Sequence, residues 1–163
     1  MTSDPKTILA LPVCDCIALV LFDPVTRTLA LAHLGWQASA DNLVEKLITK
    51  LENSFSVETG NIIAYLSPHI RKESYFFKPP LTQQTVPSWE SFLEEDKAGN
   101  IHIDLTGFNK NALQKAGVVA ENIIIALEDT ANPDTPFSSN FLYNKNNSSG
   151  SADRFLVSTQ IPA

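Results

Sequence analysis

Residues 16–36 read CIALVLFDPVTRTLALAHLGW. Two short apolar runs rich in branched side chains, 16–22 and 28–33, flank DPVTR at 23–27, which has the composition of a tight turn. The pattern predicts two antiparallel strands joined by that turn. In such a hairpin the start of the first strand lies beside the end of the second. Cys16 and His33 are therefore expected to meet at one edge of a sheet. A thiol and an imidazole in reach of each other suit a Cys–His nucleophile pair or two ligands of a zinc ion. The same placement also suits Cys16 as a small core hydrophobe and His33 as a satisfied strand-end residue.

Outward from the hairpin, the chain alternates strand and helix patterns. TILALPV (7–13) reads as a preceding strand. From Ser39 the period changes: Leu43, Val44, Leu47, Ile48 and Leu51 form one apolar face, with Ser39 as the expected N-cap and Asp41 at the positive end of the helix dipole. NIIAYLS (61–67) is a further strand ended by Pro68. Prolines 79, 80 and 87 interrupt the middle, where SWESFLEED (88–96) has room for a short helix. IHIDL (101–105) alternates like a strand. Thr106 is the expected cap of a helix through FNKNALQKA (108–116), closed by Gly117 at C′. NIIIAL (122–127) and RFLVSTQI (154–161) read as strands, and NKNNSSGS (144–151) as a mobile loop. There is no internal repeat and no linker, so residues 1–163 are expected to form one mixed α/β domain.

The composition fits that expectation. A chain of 163 residues with 44% hydrophobic and 18% charged residues can bury a core without a disulfide or metal staple. A net charge of −6 without a basic cluster argues against nucleic acid or an anionic membrane as partner. No apolar run reaches membrane-spanning length, and the first residues lack the pattern of a signal peptide. Cys14 and Cys16, two apart, are badly spaced for a disulfide between distant elements and are expected to be reduced thiols in a cytoplasmic chain. HExxH, GxSxG, paired CxxC and Gly-rich phosphate loops do not occur. Gly35 and Trp36 are expected to serve the turn after the hairpin, the glycine by freeing the backbone and the indole by packing on the helix that follows.

CDCIALVLFDP followed by LALAHLGW resembles the ADC-P-hydrophobic-DP … HAGWRG signature of the YfiH family, also labelled laccase-domain proteins or multicopper polyphenol oxidoreductases. The likeness continues in order through YLSPHIRKESYFF, IHIDLTGFNKNALQKAGV and PFSSNFLYN, the last where the family has FFSYRR. The resemblance implies a layered αββα-type sandwich with mixed sheets. It also implies a site of one cysteine and two histidines that bind zinc, copper being the older proposal. The activities it implies are phosphorolysis of purine nucleosides and deamination of adenosine, with a peptidoglycan-precursor amidase assigned to some members.

Carried across residue by residue, Cys16 matches the family's metal-binding cysteine and His33 its second histidine. The first histidine belongs to an upstream Q-H-G segment, so the chain is expected to be N-terminally short relative to the family. The loss of that segment should uncover apolar sheet surface and favour self-association. His69 and His102 stand where the family places no ligand, and Cys14 replaces the alanine of ADC. Gln37 stands in place of an arginine, Asn140 to Asn144 in place of a paired arginine, and EDT (128–130) in place of CT; Arg154 matches a late arginine expected to bind substrate. Fewer cations imply weaker hold on phosphate. The reading is a zinc-dependent purine nucleoside phosphorylase or adenosine deaminase of reduced activity. Its alternatives are a non-catalytic binding or partner protein and a metal-free Cys–His hydrolase.

Overall fold

The computed structural model describes residues 1–146 and 152–162. Strand β1 (Ile8–Val13) precedes the hairpin β2 (Ile17–Asp23) and β3 (Thr28–Leu34). Helices α1 (Trp36–Ala40) and α2 (Leu43–Phe55) follow, then β4 (Ile63–Leu66), β5 (Phe76–Phe77), β6 (Leu93–Glu95) and β7 (Ile101–Ile103). Helix α3 (Leu105–Lys115), β8 (Ile123–Ile125), α4 (Asn140–Lys145) and β9 (Phe155–Gln160) complete the order. The strands form three sheets: β3-β2-β4-β8, with only the β4–β8 pair parallel, β5-β7-β6, and the ribbon β1-β9. The fold is mixed α/β. No helix among the described residues is long and apolar enough to cross a membrane.

Alternation places the core. Ile17, Leu19 and Leu21 of β2, Ala30 and Leu34 of β3, and Ala64 and Leu66 of β4 share one cluster with Val44, Leu47, Ile48 and Leu51 of α2 and Leu105, Phe108 and Leu113 of α3. A period of two meets a period of 3.6 across that layer. Trp89 closes it, fully buried and stacked on Phe108 with ring centres 4.1 Å apart. The other sheet face carries Ala18 and His33, and near its β4–β8 end leaves Ile63 and Ile124 exposed.

Several local expectations are corrected. Ser39 does not cap a helix: it lies inside α1, buried, its hydroxyl 2.9 Å from the Gly35 carbonyl and 3.0 Å from Asn109 Oδ1. The long helix begins instead after Asn42, whose φ of 57° breaks α1 from α2. Thr106 is not the cap of α3 either. Asp104 is, accepting the Gly107 N–H at 2.7 Å; a Cβ at Gly107 would stand 2.3 Å from Asp104 Oδ2, so this cap needs the glycine. Gly117 closes α3 at φ 98° as expected. The short helix expected within 88–96 is present over residues 87–92 as a 3-10 helix, while 93–95 join β7 as a strand. Asn144 and Lys145, expected in a loop, end α4, while residues 147–151 of that expected loop lie outside the described residues.

Candidate functional site

The β2–β3 register pairs Ile17 with Leu34 and Ala18 with His33. Continuing it by one position sets Cys16 beside Gly35, so Cys16 and His33 are diagonal neighbours on the face opposite α2 and α3. Diagonal neighbours of this kind lie about 7–8 Å apart, close enough for their side chains to share one ion. Gly35 has φ −90° and ψ 176°, ordinary extended backbone, so it is not there to bend the chain. A Cβ at position 35 would lie 3.1 Å from Cys16 Sγ. The glycine makes room for the thiol.

Cys16, His33 and Arg154 line one cavity of about 980 Å3. Gln37, Asn140 and Asn144 line it as well. Its apolar wall is aromatic: Tyr75, Phe76 and Phe77 from the β5 segment meet Phe141 of α4 edge to face, with ring centres 5.5 to 6.5 Å apart. Asp15 holds that wall in place. Its carboxylate accepts the Phe141 N–H at 2.7 Å and the Thr130 hydroxyl at 2.8 Å, tying the β1–β2 corner to α4. Sequence patterns pointed to none of Asp15, Tyr75, Phe76, Phe77 or Phe141. The three consecutive aromatic residues at 75–77, in a stretch without periodicity, were the available signal.

Electrostatics divides the two cysteines from a simple nucleophile pair. Burial, then the charges of Asp15 and Cys14, push the Cys16 thiol up to about 11, against a smaller pull from Arg154. Burial and the Arg154 charge lower the pKa of His33, which leaves the imidazole neutral at pH 7 with a lone pair to offer. Cys14 is also raised, mainly by burial, and its thiol donates to the Ser138 carbonyl at 3.2 Å. Neither cysteine is in a disulfide.

The other histidines are occupied elsewhere. His69 is fully buried; its Nδ1–H donates to the Ser67 carbonyl at 2.6 Å and its Nε2 accepts from Thr106 Oγ1 at 2.6 Å. Burial, reinforced by Arg71, drives its pKa down to about 4. His102 bonds to the Lys72 carbonyl at 2.8 Å and Asp96 at 3.3 Å. As a metal site, the cavity offers donors of the right kind, one sulfur and one imidazole nitrogen. Catalytic zinc usually takes three protein donors and a water. Among the described residues no group of three or more His, Cys, Asp or Glu side chains is arranged to hold an ion. The set fits zinc in kind and falls short in number.

A family model described as multi-copper polyphenol oxidoreductase laccase matches residues 1–152. The chain belongs to this laccase-domain family. Among similar curated proteins, a purine nucleoside phosphorylase of Rickettsia conorii is 28% identical over 137 residues, covering 80% of this chain and 54% of the relative. An adenosine deaminase from an unknown prokaryotic organism is 23% identical over 114 residues, 68% of this chain and 43% of its own. Among solved structures, YlmD from Geobacillus stearothermophilus superimposes with a TM-score of 0.84 at 20% identity, over 99% of this chain and 59% of that one. The Bacillus licheniformis protein YfiH gives 0.80 at 21% identity, over 98% and 60%. These likenesses agree with the layered mixed α/β fold. This laccase-domain chain spans about half the length of the curated relatives it matches.

Proposed function

We propose that the cavity beside β2 and β3 is a purine-nucleoside site that works with zinc, at reduced turnover. The observation that carries this reading is the convergence of Cys16 and His33 on one cavity wall, with Gly35 cleared for the sulfur. The names of similar proteins, purine nucleoside phosphorylase and adenosine deaminase, support the same substrate class. The wall of Tyr75, Phe76 and Phe141 suits a flat heterocycle, since aromatic rings favour edge-to-face and offset contacts. Zinc, when bound, would supply a Lewis acid that polarises the substrate or activates water. Cys16 and His33 would hold it. Arg154 would bind the anionic part of the substrate, and Asp15 would position Phe141.

A metal-free Cys–His hydrolase is the weaker reading. A thiol titrating at about 11 is thiolate in roughly one molecule in ten thousand at pH 7. Metal coordination deprotonates a thiol outright, so the same environment is compatible with a ligand. Self-association belongs to the proposal too: Ile63, Ile124 and Leu127 are exposed, Leu127 at 92%, and give the apolar surface it would use.

The test is conversion of adenosine by zinc-loaded protein, with and without phosphate, following both free adenine and inosine. Slow conversion that is lost in His33→Ala supports the proposal. A protein without conversion of any kind is the non-catalytic relative, and conversion unchanged in His33→Ala removes the site.

A further inference from the structure

Lys145 ends α4 with its ammonium 5.5 Å from the Phe76 ring centre and 6.0 Å from that of Phe141. The two rings meet edge to face at 5.8 Å, so the cation sits over a paired aromatic surface that holds it without neutralising it. Among the described residues Lys145 makes no ion pair, and neither does Arg154, a second cation lining this cavity, whose charge is felt at Cys16 and His33. The nearby carboxylate of Asp15 is committed to Thr130 and the Phe141 N–H. Lys78, also on the rim, donates to the Ala98 carbonyl at 2.5 Å. A chain of net charge −6 thus brings two uncommitted cations to one cavity, beside a surface for a flat ring.

We infer that Lys145 determines specificity in this cavity: together with Arg154 it takes the phosphate group of a ligand whose ring lies on the Phe76–Phe141 wall. This rests on the purine-nucleoside reading of the same site. An ammonium held over two rings and paired with no carboxylate is available for a charge-assisted contact with phosphate. Asn144 and Gln37 offer no charge, so the lysine supplies what they lack. Two sources carry the required group: the 5′-phosphate of a nucleotide, and inorganic phosphate beside a nucleoside.

The experiment is calorimetric titration of the full chain with adenosine, adenosine 5′-monophosphate, inorganic phosphate, and phosphate in the presence of adenosine. Lys145→Met keeps an apolar stem over the rings and removes the charge. It should weaken the phosphate-bearing probe about tenfold while adenosine changes less than twofold. Lys145→Arg should restore affinity to within about threefold, and Lys110→Ala, on the exposed surface of α3, should change nothing. A tenfold effect on the nucleotide identifies the first source; an effect on phosphate only when adenosine is present identifies the second. The inference is overturned if wild-type protein binds no phosphate probe, or if Lys145→Met leaves phosphate binding intact. Equal weakening of adenosine and nucleotide also overturns it, because Lys145 would then only pack the wall. Repeating the titrations with Cys16→Ala separates this from the zinc proposal: Lys145-dependent binding that persists there stands even where zinc-dependent conversion fails.

Discussion

The sulfur of Cys16 occupies the space that a Cβ at Gly35 would enter, 3.1 Å away. Because Gly35 has φ −90°, alanine fits its backbone, and only the thiol must give way. Gly35→Ala should therefore cost little stability, roughly 1 kcal/mol or less, as a small overpacking at the cavity edge. Zinc affinity should fall at least about tenfold, because the ligand is displaced. Competition against a chromophoric chelator, beside a urea unfolding curve, measures both. Unchanged zinc affinity in a protein of unchanged stability would remove Cys16 as a ligand.

The thiol gives a pH dependence with a definite sign. Cys16 binds its proton more tightly in the folded chain than in the unfolded one, about 11 against 9.0. Its contribution to stability is complete below about pH 9 and is lost as pH rises toward 11. Zinc binding near pH 8 should release about one proton from this thiol, so zinc affinity rises with pH. Calorimetry in buffers of different ionisation enthalpy counts the protons, and the count should drop by one in Cys16→Ala. Equal counts in both proteins would contradict the assignment.

His69 runs the other way. Its pKa is lower folded than unfolded, about 4 against 6.5, so its contribution is complete above pH 6.5 and is lost as pH falls toward 4. The full effect is on the order of 3 kcal/mol. His69→Gln should be destabilised at pH 7, because Ser67 and Thr106 lose their geometry, yet should show a shallower loss between pH 6.5 and 4. Zinc binding should be unaffected. Urea unfolding at pH 7 and pH 4.5 tests this, and parallel losses in both proteins would count against it.

The hairpin was legible because its information is local: alternation in 17–23 and 28–34 with turn residues between. That alone brought Cys16 and His33 to one end of one sheet, and the family resemblance added Arg154. Gly35 misled for a physical reason. Sequence shows a glycine after a strand, and the usual cause is a turn; here the cause is the sulfur of the residue just before β2, visible only in three dimensions. The same holds for Thr106, a good cap by residue type, which instead bonds His69 while Asp104 caps the helix. The aromatic wall was hidden because Tyr75–Phe77 and Phe141 are far apart in the chain, and the residue that anchors Phe141, Asp15, lies more than a hundred residues from α4. No periodicity connects such segments.

Cys14 should be dispensable for metal. Its thiol is buried and bonded to the Ser138 carbonyl. Cys14→Ala should lose about 1 kcal/mol of stability and keep its zinc affinity within about twofold. A folded Cys14→Ala protein that no longer binds zinc would show a ligand set unlike the one proposed.

The central claim is that Cys16 and His33 together hold a metal ion in the cavity. Zinc content after loading and gel filtration, measured on wild type, Cys16→Ala and His33→Ala in parallel, tests it most directly. The prediction is up to one zinc per wild-type chain, held weakly enough for a mild chelator to remove, and a clear loss in each variant while its unfolding curve stays close to wild type. Zinc content that is the same in all three folded proteins, or absent from the wild type at saturating metal, would contradict it.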